Sequence, residues 1–201
     1  RSYCDAYGLS AAANNSYPTN IVVPLGPVDR MLANMRPTTR AIVRRADNLG
    51  ATWPATRPWF DAYQALHEKA SGRKTRPQQT FDLMYQWIVD GHAELLIAHP
   101  LDIPQLAGAS LWICYGDGVY YASSAREPSL QREYLVGQFM VWSALQHFAA
   151  QGRKWLDLGY GHIDGNPDDV DRKKQESIIV FKRGFVRYTE RYAGSNPALP
   201  A

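Results

Sequence analysis

The spacing of apolar residues is mostly helical up to about residue 91 and turns to strand alternation over 93–125. Residues 1–19 are polar, with Tyr, Ala, Asn and Ser and little periodicity, and read as a lead-in. "NIVVPL" (20–25) is a β-branched run cut by Pro24, which suits an edge strand. In "PVDRMLANM" (27–35), Val28, Met31, Leu32 and Met35 sit at helical spacing. After Pro37, Thr38 can cap a second helix, "TRAIVRRADNLG", which ends at Gly50 and buries Ile42, Val43, Ala46 and Leu49. A third helix is expected over 56–72, with Thr56 as cap, Pro58 in its first turn and Gly72 past its end. Its apolar face is Trp59, Phe60, Tyr63, Leu66 and Ala70. A fourth, over 78–91, carries Phe81, Met84, Tyr85 and Ile88.

Three strands follow: "AELLIAHP" (93–100), "AGASLWICY" (107–115) and "GVYYASSA" (118–125), the last two joined by a "GDG" hairpin (116–118). A long helix (133–152) then lines up Leu135, Phe139, Trp142, Leu145 and Ala149. "KWLDLGYG" (154–161) reads as a strand, 162–171 as an acidic loop, 172–183 as a helix and "FVRYTERY" (185–192) as a closing strand. The order predicts one α/β domain over 20–192, with a mixed, mostly antiparallel central sheet and helices on its faces. Residues 193–201 read as a loose tail.

Composition keeps the reading globular: 201 residues, 45% hydrophobic and 20% charged, enough for one core. The net charge of +3 is small, so the placement of charge matters more than its sum. No apolar run approaches the roughly 18 residues of a membrane helix, and no signal peptide opens the chain. Cys4 and Cys114 are far apart, form no metal-ligand pair and read as free thiols of a reducing cytoplasm. The first residue is Arg1, which allows for a preceding domain.

Familiar catalytic patterns (GxSxG, HExxH, P-loop, GxGxxG) are absent, and the five histidines have no metal-ligand spacing. His147 falls on a helix and suits a structural role. His162 falls in a loop after a strand, a common setting for site residues. The acidic loop lacks the regular spacing and terminal Glu of a calcium loop. The basic C-terminal group is more informative: Arg172, Lys173, Lys174, Lys182, Arg183, Arg187 and Arg191. A solvated helix face and an edge strand account for most of it. Lys182 is the exception, because helical projection sets it between Ile178 and Ile179. There it must snorkel or meet a phosphate, a carboxylate or a developing oxyanion.

"KWLDLGYG", a polar loop and "ESIIVFKRGF" resemble the C-terminal end of the Fem-type transferases (FemA, FemB, FemX), within the GNAT-like superfamily. In that family a D-L/F-G strand precedes G-I-x-x-F-K-x-G-F-G. Here Phe181-Lys182 matches F-K and Gly184-Phe185 matches G-F. Ser177 stands for the first glycine and Val186 for the last. "MRPTTRAIVRRADNLG" is similar to the family's arginine-rich helix. The resemblance covers about residues 20–192 and implies a GNAT-like fold, usually in tandem, of which this chain holds the second copy. It implies an enzyme that moves an aminoacyl group from aminoacyl-tRNA to an amine on a peptidoglycan precursor, peptide or natural-product intermediate.

By position, Lys182 then steadies the tetrahedral intermediate and Phe181 shapes the acyl channel. Tyr120, Tyr121, Asp157 and His162 are expected to meet substrate, with Asp157 as the candidate proton acceptor. Arg40, Arg44, Arg132, Lys173, Lys174, Arg183 and Arg187 are expected at the phosphates of the tRNA end. No metal and no tightly bound cofactor are expected. Acyl-CoA is the alternative donor, although "QREYLVGQ" (131–138) keeps Arg132 and Gly137 without the usual Q/R-x-x-G-x-G/A spacing. A non-catalytic GNAT-like binding module is the reading from another class.

Overall fold

A computed structural model describes residues 20–130, 133–161 and 172–186. Its elements are β1 (Asn20–Pro24), α1 (Val28–Asn34), α2 (Pro37–Val43), β2 (Leu49–Thr52), α3 (Arg57–Ser71), α4 (Gln78–Val89), β3 (Ala93–Pro100), β4 (Gly108–Tyr115), β5 (Gly118–Arg126), α5 (Val136–Ala150), β6 (Trp155–Tyr160) and α6 (Arg172–Lys182). A 3₁₀ turn, Arg183–Phe185, follows α6.

The strands form one sheet in the order β1-β6-β5-β4-β3-β2. Every neighbouring pair is antiparallel except β5 and β6. The alternation along β3 to β5 sends Leu96, Ala98, Trp112 and Val119 to one face, where they meet α1, α2 and α5. Leu95, Ile97, Ala109 and Leu111 go to the other, under Phe60, Tyr63 and Leu66 of α3 and Phe81, Met84 and Ile88 of α4. The fold is thus the expected α/β arrangement with helices on both faces.

Several expectations change. The second helix stops at Val43, and Leu49–Thr52 is instead an edge strand paired with Thr52↔Ile97 through Leu49↔Pro100. Gly50, expected to end a helix, lets His99 lie flat on the strand: a Cβ there would stand 2.9 Å from His99 Nε2. The predicted stripe of α5 is too narrow, because this helix buries Val136, Gly137, Phe139, Met140, Val141, Ala144, Leu145 and Phe148 all around its axis. Trp59 at the start of α3 is 44% exposed. Phe185, expected in a strand, is buried in the 3₁₀ turn; residues 187–192 lie outside the described residues. Ile178 is 42% exposed and no residue of α6 is buried, so Lys182 is not embedded in a core stripe.

Candidate active site

The parallel pair β5–β6 opens partway along its length. Pairing runs only through Gly118↔Trp155, Val119↔Leu156 and Tyr120↔Asp157, yet β5 continues to Arg126 and β6 to Tyr160. Both strands carry the cause. On β6, Leu158 and Gly159 face the single residue Ile21 of β1, since Val22 pairs with Asp157 and Asn20 with Tyr160. Gly159 takes φ +78° and donates its N–H to Asp157 Oδ1 at 2.7 Å. This is a bulge built on a left-handed glycine, which bends the strand and re-aims its side chains. On β5 the register shifts between the pairs Leu111↔Ser123 and Trp112↔Tyr121. The consequence is a V-shaped opening, with residues 121–124 of β5 only half-buried on its edge.

Lys182 reaches this opening from the C-terminal end of α6. A Cβ on Gly159 would stand 3.3 Å from Lys182 Nζ and 3.6 Å from Tyr120 Oη, so the glycine leaves room for both. Burial pushes the Lys182 ammonium below the usual lysine range, and the nearby Asp157 charge opposes that shift. Burial likewise raises the Tyr120 hydroxyl, with Asp157 and Tyr160 adding to it. The two tyrosines part company, as alternation requires. Tyr120 faces the opening, whereas Tyr121 stacks on Trp112 (4.7 Å, 30°) and donates to Ser124 Oγ at 2.5 Å.

Phe181 lies against Gly137 at the start of α5 and packs edge-on to Phe185 (5.6 Å, 75°). Arg126, at the end of β5, crosses the same glycine: its Nη1 would be 3.0 Å from a Cβ there. Beside it is a cavity of about 210 Å³ lined by Arg126, Tyr134, Leu135, Val136, Gly137 and Gln138. Among the described residues no side chain caps α5, so its first-turn N–H groups and the Arg126 guanidinium border the same space, an arrangement suited to an anion. Tyr134 donates to Asp102 (2.9 and 3.0 Å), pinning this corner, and the carboxylate pushes its hydroxyl up to about 12.

The segment around Lys182 is fixed from α2. Arg36 N–H donates to Gly184 O at 2.9 Å, and Gly184 packs so closely on Thr39 that no Cβ fits. This sets α2 against the turn after Lys182; Arg40 (half-buried) lies on that helix and Arg44 (exposed) just past its end. Arg183 donates through Nη2 to Gly161 O at 2.7 Å, and its Nε is buried with no hydrogen-bond partner among the described residues. Lys173 and Lys174 are exposed on the first turn of α6. Arg132, His162 and Arg187 lie outside the described residues. His147 sits far along α5, bonded to Glu94 at 2.7 Å and stacked on Trp53 (3.8 Å, 9°). Cys114 is buried, its thiol pushed up to about 11, which keeps it inert at neutral pH.

Sequence reasoning missed Arg126, Asn20 and a cationic loop. The Lys69–Glu127 ion pair (2.8 Å) carries the end of α3 to the end of β5. The loop after it holds Arg73, Lys74 and Arg76, the last bonded to His67 Nε2 at 3.0 Å. The "GRKTRP" run was visible, but only the course of α3 brings it to this end of the sheet. Among the described residues, no cluster of His, Cys, Asp or Glu could hold a metal and no helix is long and apolar enough to cross a membrane.

The acetyltransferase (GNAT) domain family matches residues 30–166, and the chain belongs to that family. Among solved structures it is similar to FemX, with a TM-score of 0.65 at 14% identity over 88% of this chain and 61% of that one. L-PGS from Bacillus licheniformis gives 0.53 at 11% identity, over 82% of this chain and 51% of that one. An aminoglycoside acetyltransferase from an uncultured soil metagenomic sample, in complex with trehalose, gives 0.51 at 11% identity, over 77% of this chain and 98% of that one. The chain therefore spans about three fifths of FemX and half of L-PGS. No curated protein matches its sequence.

Proposed function

We propose that this chain is an aminoacyltransferase of the Fem type, which moves an aminoacyl group from the 3′ end of a charged tRNA to an amine. The observation that carries the reading is the half-buried ammonium of Lys182 at the mouth of the β5–β6 split, where it forms neither ion pair nor hydrogen bond among the described residues. The acceptor nitrogen attacks the ester carbonyl, and its electron pair forms the new C–N bond. The carbonyl oxygen takes up charge, and Lys182 stabilises it in surroundings drier than water. Collapse breaks the bond to the ribose oxygen, which leaves with the proton lost by the amine, and an amide remains. No covalent nucleophile takes part, so an inert Cys114 fits. Phe181 narrows the path for the acyl side chain, and Arg40, Arg44, Lys173 and Lys174 offer contacts to the tRNA backbone.

One observation favours acyl-CoA as the donor instead. The cavity at the start of α5, with Arg126 and the helix N–H groups, suits a pyrophosphate. Acetyl-CoA and a set of charged tRNAs, each offered with the same amines, separate the two. Amide formation from charged tRNA alone is the expected result; turnover of acetyl-CoA with none from tRNA would establish the alternative.

A further inference from the structure

Asp157 stands at the site and is the one carboxylate that the sequence offered as proton acceptor. Its surroundings do not suit that work. It is 3% exposed. Its Oδ1 accepts the Gly159 N–H at 2.7 Å and its Oδ2 accepts from Asn20 Nδ2 at 2.8 Å. A general base needs a lone pair in reach of the proton it removes. Here each oxygen already accepts a hydrogen bond, and the carboxylate plane is fixed from two strands.

The fixed charge has a neighbour. Lys182 Nζ stands over Gly159, the residue whose amide Asp157 holds. Asp157 acts on Lys182 from β6 and Tyr120 borders it from β5, with Tyr160 near Tyr120. Arg183, the next residue, turns to the Gly161 carbonyl. A half-buried ammonium loses hydration, and an opposing charge nearby favours its ionised form.

We propose that Asp157 is a positioning residue: a fixed negative charge, clamped by Asn20 and the Gly159 amide, that keeps the Lys182 ammonium ionised and seated at the mouth of the β5–β6 split. Asn20 extends the clamp to β1, so the edge strand that opens the domain helps to set the charge of the site. The same hydrogen bond from Gly159 shapes the bulge, which joins the opening of the cleft to the seating of its cation. The inference rests on the reading of Lys182 as the catalytic cation.

The test needs no substrate, so it stands or falls apart from the transfer reaction. Lysine-labelled protein is titrated by carbon NMR, and the Lys182 signal, one of six lysines, is assigned by its loss in Lys182→Arg. Asp157→Asn keeps the shape and removes the charge; the Lys182 midpoint is expected at lower pH than in wild type. Asn20→Ala keeps the charge but frees the carboxylate; the midpoint is expected to fall in the same direction by less. This second variant serves if Asp157→Asn does not fold. A Lys182 midpoint that neither substitution moves would overturn the proposal, whatever the protein's donor proves to be.

Discussion

Gly184→Ala is the substitution whose outcome follows most directly from atomic positions. Gly184 is buried in the turn two residues after Lys182, and its carbonyl accepts from Arg36 N–H. An added methyl would overlap Thr39 Oγ1, while Thr39 Cβ would be 3.4 Å away and Cγ2 3.5 Å. The backbone there is not left-handed, so alanine meets no conformational penalty and the cost is steric. Overpacking of this kind costs about 1–3 kcal/mol. For a domain of this size, about 2 kcal/mol lowers Tm by roughly 4–8 °C. The clash also identifies its own remedy. Thr39→Ala removes the hydroxyl and methyl and keeps only Cβ, which sits at ordinary contact distance. The double variant Thr39→Ala/Gly184→Ala is therefore expected to be as stable as Thr39→Ala alone, a coupling that a thermal-unfolding cycle reads directly. Additive losses would refute the claim that α2 and the G-F turn are locked at this contact. Because the turn holds the end of α6, transfer is expected to fall in Gly184→Ala and to return in the double variant.

Three further outcomes are expected. Activity that depends on a charged Lys182 is present below its midpoint and lost as pH rises through it; since burial lowers that midpoint, the alkaline limb of kcat should lie below the usual lysine range and move upward in any residual activity of Lys182→Arg. By linkage, a lysine whose folded midpoint is lowered binds fewer protons when folded, so wild-type stability should rise with pH through that window and Lys182→Met should lack the rise. If acyl-CoA is the donor, Arg126→Gln should raise the KM for it with the acceptor KM unchanged; an unaltered acyl-CoA KM would remove the α5 corner from the donor site.

The strands were legible because β3, β4 and β5 are short apolar runs bounded by Pro, Gly and a hairpin signal, with Trp, Ile, Val and Tyr in β4 and β5. β2 was not, since Leu49-Gly50-Ala51-Thr52 is short, contains a glycine and follows a helix-like run; only pairing with β3 makes it a strand. Lys182 was singled out for a reason that did not hold. Helical projection set it among buried isoleucines, whereas α6 buries none of its residues and the partial burial of Lys182 comes from the opening between β5 and β6. Arg126 escaped notice because it lies one residue beyond the alternation and meets Gly137 only when β5 and α5 come together. Asn20 and Asp157 are 137 positions apart, and no local pattern joins them. Periodicity speaks for elements; a site built from a strand split, a bulge and a helix end depends on contacts that sequence spacing does not encode.

Lys182→Met tests the central claim most directly. Methionine keeps the length and apolar stem of the side chain and removes the charge. In single-turnover transfer from a charged tRNA to the preferred amine, loss of an oxyanion-stabilising group should slow the chemical step by about 10²–10³-fold, roughly 3–4 kcal/mol of barrier, with an unchanged fold and donor affinity. A Lys182→Met protein that transfers at the wild-type rate would contradict the assignment of this ammonium to the transition state.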